Sequence, residues 1–346
     1  DPGNWFASLE GTPGVPGTLL AIASPASGTR YFAPDTVDVN VSVEALSVSN
    51  SVVQVAVLEG TNVLCVVTQA PYRCTLLVDE PRTYFLRATM TDGAGVHTSR
   101  VAIVDGLQIE AYAATGISDV VAICTGALIG SGDANATLYW GDEDGGQDAL
   151  SWDKIVSITA SGGSPIAVPL SELVAGRTYY YRFRAQVEDR FAWSTNTVSF
   201  RATPLDSWSH KLAIEFPWAP TSPLHDFPVL IKLHEGISGF SYSQFASVAG
   251  NDFRVGDEAT GEALRYDIEH WNTGGVSYVW VQVPQLTSNT SVNAYWGNSA
   301  AAATAPFYVT DGSIWRDDYA AVWHLNASLS DASRYQADAV SLGSLE

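Results

Sequence analysis

Basic side chains are scarce in this sequence. Its 17 Lys plus Arg stand against 37 Asp plus Glu, giving a formal charge of −20, and the only lysines are Lys154, Lys211 and Lys232. A surface this acidic repels phosphates and anionic headgroups, so nucleic acid and charged membrane surfaces are not expected partners. Cysteine is nearly absent too. Cys65, Cys74 and Cys124 are too few, and wrongly spaced, for a disulfide-built miniature fold or a four-cysteine zinc site. No run of about 18 apolar residues occurs, so the chain is not expected to be membrane-embedded. Also missing are a Gly-x-Ser-x-Gly elbow, a His-Glu-x-x-His pair and a phosphate-binding glycine loop, and the histidines are scattered. The sequence therefore reads as a non-enzyme. It starts at Asp1 without a basic-then-apolar leader, as expected of a processed product or a piece of a longer chain.

Buriable surface, in contrast, is plentiful. Apolar residues make up 46% of the chain, with 11 Trp, 15 Tyr and 12 Phe, which is incompatible with a disordered polymer. Its 346 residues exceed the roughly 250–300 at which one hydrophobic core stops growing, so several domains are expected. Period-two runs such as 36–43 (TVDVNVSV), 52–58 (VVQVAVL) and 84–90 (YFLRATM) are broken by Gly, Pro, Asn, Asp and Ser. That pattern predicts half-buried strands of sandwiches or barrels. Helix is expected only at 241–246 and at 299–305, where Pro306 ends it.

Two segments echo each other, 82–88 (RTYFLRA) and 177–185 (RTYYYRFRA). An apolar residue, Val78 or Leu173, stands six positions before the first Tyr of each. The spacing predicts tyrosine corners in tandem sandwiches, with Tyr84 and Tyr179 structural.

Blocks at 24–28 (SPASG), 32–34 (FAP), 37–41 (VDVNV), 53–57 (VQVAV), 70–72 (APY) and 88–95 (ATMTDGAG) resemble bacterial Ig-like repeats. Blocks at 136–142 (ATLYWGD), 151–153 (SWD), 173–181 and 191–194 (FAWS) resemble a bacterial fibronectin type III-like domain. Five further ordered blocks, 227–233 (FPVLIKL), 250–255 (GNDFRV), 264–271 (LRYDIEHW), 278–284 (YVWVQVP) and 292–298 (VNAYWGN), resemble the domain-of-unknown-function family 2341. Residues 321–325 (AVWHL) and 331–333 (DAS) resemble the opening of a laminin-G or concanavalin-like jelly roll, and 5–17 a lamin-tail-like remnant. The expected fold is all-β: Ig-like and fibronectin III-like β-sandwiches in tandem, then a β-rich sandwich-like domain. The expected boundaries are 1–18 for a preceding domain or linker, 19–106 Ig-like, 107–205 fibronectin III-like, 206–308 the unknown-function domain, and 309–346 linker and jelly-roll start.

These resemblances imply an extracellular or cell-surface bacterial protein, a spacer, adhesin or scaffold with carbohydrate binding as one activity. Two alternatives stand beside that reading: an accessory region of a large carbohydrate-active enzyme, and a filament subunit completed by strand exchange. The implied partners are surface glycans or other copies of the chain.

Candidate site residues are few. In the acidic loop 142–148 (DEDGGQD), Asp142, Asp144 and Asp148 are hard oxygen ligands spaced around glycines, as calcium requires, although a solvated acidic hairpin is the commoner origin of such a run. Asp311 with Arg316, Asp317 and Asp318 reads as a polar linker surface. Among the aromatics of 271–296, Trp280, Tyr295 and Trp296 read as core, while Trp271 and Tyr278 are candidates for stacking on sugar rings. Asp267 and Glu269 share a strand face, but a glycosidase pair is defined by distance across a cleft. Cys65 and Cys74 flank the turn 69–71. If strands 62–67 and 72–78 pair across it, the two cysteines can form a cross-strand disulfide, and otherwise they are small buried side chains.

Overall fold

The computed structural model describes residues 19–44, 52–93, 95–216, 220–303, 305–315, 319–325 and 329–340. The lamin-tail-like remnant and Arg316, Asp317 and Asp318 lie outside the described residues. The fold is all-β, built from mainly antiparallel sheets, with Thr29–Phe32 pairing parallel to Ala102–Thr115, joined by turns and short 3-10 segments. Two compact units make up the chain. The first is drawn from Asp1–Tyr112, Thr125–Ile166 and Tyr181–Thr197, the second from Ala113–Cys124, Ala167–Tyr180 and Val198–Glu346. Residues 107–205 thus contribute to both.

In the first unit, Asp35–Glu44 pairs with Leu19–Ser24 on one side and Tyr72–Val78 on the other. A second sheet carries Asn62–Val67, Gln54–Glu59, Thr83–Asp92 and Ala102–Thr115 in that order. Alternation decides what lies between the sheets. Val37, Val39 and Val41 pack from the first, and Val55, Val57, Leu86, Ala88, Met90 and Val104 from the second, in one core. Their polar neighbours along each strand face outward. Both tyrosine corners are present. The Tyr84 hydroxyl accepts from Glu80 N at 3.0 Å and lies 2.8 Å from Asp79 Oδ1, while the Tyr179 hydroxyl accepts from Val174 N at 2.9 Å. Val78 and Leu173, six residues earlier, are fully buried.

Cys65 and Cys74 are bonded, with Cα atoms 6.1 Å apart. The strands that carry them, Asn62–Val67 and Tyr72–Val78, form where the sequence places them but do not pair with each other. Asn62–Val67 pairs with Gln54–Glu59 and Tyr72–Val78 with Asp35–Glu44, so the turn between them crosses from one sheet to the other. The disulfide therefore ties the two sheets together; it is not the rung of a hairpin. Cys65→Ser with Cys74→Ser is expected to lower the stability of this sandwich by about 2–3 kcal/mol, the entropy of a short closed loop. Denaturant titration of the variant against the wild type measures it. Cys124 is free and buried, and burial pushes its thiol pKa up to about 12.

The second unit contains a sandwich of two sheets. One has the order His210–Glu215, Ser291–Trp296, Arg254–Asp257, Ala263–Leu264, and the other Leu224–Leu233, Ser277–Leu286, Tyr266–His270. Val279, Val281 and Val283 point inward from the second sheet and meet Val255, Val292, Ala294 and Trp296 from the first. The two expected helices are single 3-10 turns, Tyr242–Gln244 and Ser299–Ala301. Segments this short cannot repay helix nucleation, and the Ser241–Gln244 capping box fixes one turn only. At 321–325 no strand forms among the described residues. Trp323 instead makes an isolated antiparallel bridge to Asp331.

Candidate functional site

The block 250–255 (GNDFRV) lies in the second unit, and each of its residues has a structural task. Gly250 adopts φ +74°, and a Cβ there would come within 2.6 Å of the Trp271 indole, so only glycine fits. The Asn251 amide donates to Ala302 O at 3.1 Å. The buried Asp252 carboxylate accepts from the backbone N–H groups of Ala246, Ser247 and Gly297 at 2.9–3.0 Å, pinning two loops. Phe253 and Val255 are core residues with no exposed surface.

Arg254 is the unusual member, because its side chain is wholly buried. Its Nε donates to Asp119 Oδ2 at 2.6 Å, and its Nη1 donates to Asn251 O at 2.6 Å and Phe253 O at 2.7 Å. Asp119 is 3% exposed and sits between the strands Ala102–Thr115 and Ala122–Gly130. Ser118 shapes that loop in advance. Its hydroxyl accepts from Val120 N and Val121 N at 3.2 and 3.0 Å, and its own N–H donates to Val121 O.

A small apolar cluster of Ala175, Leu205, Trp208, Tyr295 and Ala301 adjoins the pair, with Tyr295 opposite Arg254 in the strand register. The Trp208 N–H donates to Asp252 O at 3.1 Å, and its ring lies 5.8 Å from the Arg254 guanidinium. Arg177 meets Glu262 at 3.1 Å on the rim, where both side chains are about 40% exposed. That exposed pair contributes at most about 1 kcal/mol, so the packing within the second unit depends on the buried contacts. Two buried tyrosines stand near. Burial pushes the Tyr266 phenol up to about 12, and Tyr308 well above its ordinary value. Chemically the arrangement is a closed structural lock, a buried cation neutralised by a buried anion and enclosed by apolar side chains.

A second cluster lies on the outer face of the strands Tyr266–His270 and Ser277–Leu286. Asp267 is paired across the sheet with Trp280, and the register shifts between Ile268 and His270. His324 reaches both carboxylates, with Nε2 2.9 Å from Asp267 Oδ2 and Nδ1 3.6 Å from Glu269 Oε2. Two indoles add donors: Trp315 to Asp267 Oδ2 at 3.2 Å and Trp280 to Glu269 Oε2 at 2.7 Å. The Trp315 ring packs between those of Trp280 and His324, with centroids 5.6 and 5.9 Å away. The hydrogen bond to Asp267 raises the His324 pKa against the downward pull of desolvation. A few residues on, the Asp331 carboxylate accepts from Val322 N, Ser333 N, Ser333 Oγ and Ala337 N at 2.7–2.8 Å. Against the upward pull of burial, those hydrogen bonds hold its pKa at about 2.

The residues singled out from sequence fall elsewhere. Asp144 accepts from Gly146 N and from the Thr197 hydroxyl, both at 2.9 Å. Asp148 accepts from Leu150 N and the Ser151 hydroxyl, and Asp142 N donates to Asp153. These carboxylates stabilise turns within the loop joining Asp133–Gly141 to Lys154–Ser161. Among the described residues no group of three or more His, Cys, Asp and Glu side chains converges as a metal site. The Trp271 ring packs on Tyr242, Phe245 and Phe253, and its N–H donates to Val248 O at 3.1 Å. Tyr278 is half-buried on the outer face, opposite Lys232, whose Nζ lies 5.8 Å from its ring. Trp280, read from sequence as core, faces outward beneath Trp315, because Val279 and Val281 take the inward positions. Sequence reasoning missed Asp119, Arg254 and His324. Only Arg254 carried a signal, a cation between Phe253 and Val255 that must find a counter-charge if the strand is buried.

Two family models match parts of the chain: residues 20–101 match a bacterial Ig domain, and residues 249–313 match the domain of unknown function DUF2341. No curated protein gives a significant match. Among solved structures, the fibronectin(III)-like modules of Clostridium thermocellum CbhA are 24% identical, covering 25% of this chain and 94% of that one at a TM-score of 0.24. The sensor domain of the anti-sigma factor RsgI4 of Pseudobacteroides cellulosolvens is 17% identical, covering 28% and 75% at 0.22. The FN1-FN3 domains of chicken CNTN1 are 10% identical, covering 81% and 95% at 0.28. None of these likenesses bears on activity.

Proposed function

We propose that the chain is a non-catalytic spacer of a modular extracellular protein, in which a stiff joint within the second unit holds the segment matching DUF2341 against the loop 117–121. The observation that carries this reading is the use of the block 250–255. Its polar groups cap loops and bind Asp119, and the Arg254 side chain is wholly buried, so none is presented to a substrate. Residues 20–101, matched as a bacterial Ig domain, supply a further sandwich of the kind that sets distance in such proteins. A buried ion pair with an apolar collar resists bending, whereas a polar linker does not. If the joint is stiff, hydrogen exchange across a denaturant series will show the loop 117–121 and the strand Arg254–Asp257 losing protection in one transition. Two separate transitions in the full chain would overturn the spacer reading. Saturable glycan binding by the wild type would replace it with adhesion.

A further inference from the structure

We propose that His324 is a protonation-dependent clasp: as a cation between Asp267 and Glu269 it fastens residues 319–325, and with them 329–340, to the outer face of the sheet Leu224–Leu233, Ser277–Leu286, Tyr266–His270, and as a neutral imidazole it loosens that attachment. The geometry favours a positive ring. Nε2 lies 2.9 Å from Asp267 Oδ2, within hydrogen-bond distance, and Nδ1 lies 3.6 Å from Glu269 Oε2, an ion-pair distance, so a charged imidazole interacts with both carboxylates and a neutral one hydrogen-bonds Asp267 alone. Asp267 and Glu269 are the charged groups that act on the ring among the described residues; Trp315 packs on it and is packed in turn by Trp280 and Tyr319.

The site is sheltered enough for the charges to matter. The side chains of His324, Asp267 and Glu269 are 15%, 14% and 23% exposed, and Trp315 is 4% exposed. The indole N–H groups of Trp315 and Trp280 donate to Asp267 and Glu269, and the imidazole is the group in this cluster whose ordinary pKa lies near neutrality. The loop has other supports: Asp331 accepts from Val322, Ser333 and Ala337, and the backbone of Ser333 and Arg334 packs over Gly312. Neutralising His324 therefore removes one attachment of a preformed loop and leaves its internal order and the sandwich beneath it in place.

Docking raises the histidine pKa, so docking is strongest below the pKa of the free side chain, about 6.5, and weakens as pH rises through the docked value. The test is hydrogen exchange of the full chain from pH 5 to pH 9, corrected for intrinsic rates. Protection at 320–325 and 329–338 is expected to fall about tenfold per pH unit between the free and docked pKa values, then level off. The core strand Ser277–Leu286 should stay unchanged. In His324→Gln the protection should be flat with pH and equal to the high-pH wild type. A wild type without pH dependence in the segment, or a variant that keeps it, overturns the proposal. Should the variant fold poorly, the wild-type imidazole can be titrated by NMR, assigned through its contact with Trp315. A pKa above 6.5 supports the clasp, and one at or below 6.5 overturns it.

Discussion

Replacing Asp119 with alanine is expected to cost the second unit about 3–5 kcal/mol, because the change leaves a guanidinium buried without its counter-charge. Arg254 has no exposed side-chain surface, and its Nη2 already lacks a hydrogen-bond partner. Nη1 keeps its two carbonyls, but Nε loses its acceptor and the charge loses its neutralising partner. The pair is closed to water, the Arg254 and Asp119 side chains being 0% and 3% exposed. Chemical denaturation monitored by tryptophan fluorescence measures the loss. Asp119→Asn is expected to lose less, since its amide oxygen can still accept from Nε. The double variant Asp119→Ala with Arg254→Met should recover part of the deficit, because removing both charges removes the desolvation penalty too. If Asp119→Ala is as stable as wild type, the joint is not held by this pair, and the spacer reading loses the observation it rests on.

Asp119 shows where the sequence stops being readable. Its loop, 117–120, is an ordinary polar connection, and its partner lies 135 residues away, so no local pattern marks it. Tyr84 and Tyr179 were readable because a tyrosine corner is local, with the phenol bonding backbone four or five residues upstream. The strands at 62–67 and 72–78 were readable by period two, and so was the chance of a bridge between Cys65 and Cys74. What alternation does not encode is which strand lies beside which, and the turn at 69–71 leads into the opposite sheet. Trp280 was misplaced for a related reason. Period two puts it on the face opposite Val279 and Val281, and only residues 35 and 44 positions later, Trp315 and His324, turn that face into an interior. Asp267 and Glu269 were visible as a pair, but their meaning depends on the same distant histidine.

Trp271→Ala is expected to destabilise the second unit by about 3 kcal/mol, the lower end of the range for a large aromatic removed from a core. The ring stands edge-on to Tyr242 at 5.5 Å and Phe245 at 5.1 Å, lies 6.1 Å from Phe253, and fills the space over Gly250. Truncation leaves a cavity bounded by three aromatic rings that cannot collapse inward without shifting the Gly250 turn. The lower end applies because the indole is only partly buried and its N–H bonds Val248 O near the surface. Trp271→Phe retains the edge contacts but drops that hydrogen bond, so about 1 kcal/mol is expected. Gly250→Ala presses on the same space from the other side and must also be destabilising, since φ +74° disfavours a side chain. A sugar platform predicts the opposite pattern, unchanged denaturation midpoints with binding abolished. Midpoints for these variants therefore have to be measured before any glycan result is read, and Trp271→Ala with wild-type stability would return this residue to the surface role that its sequence context suggested.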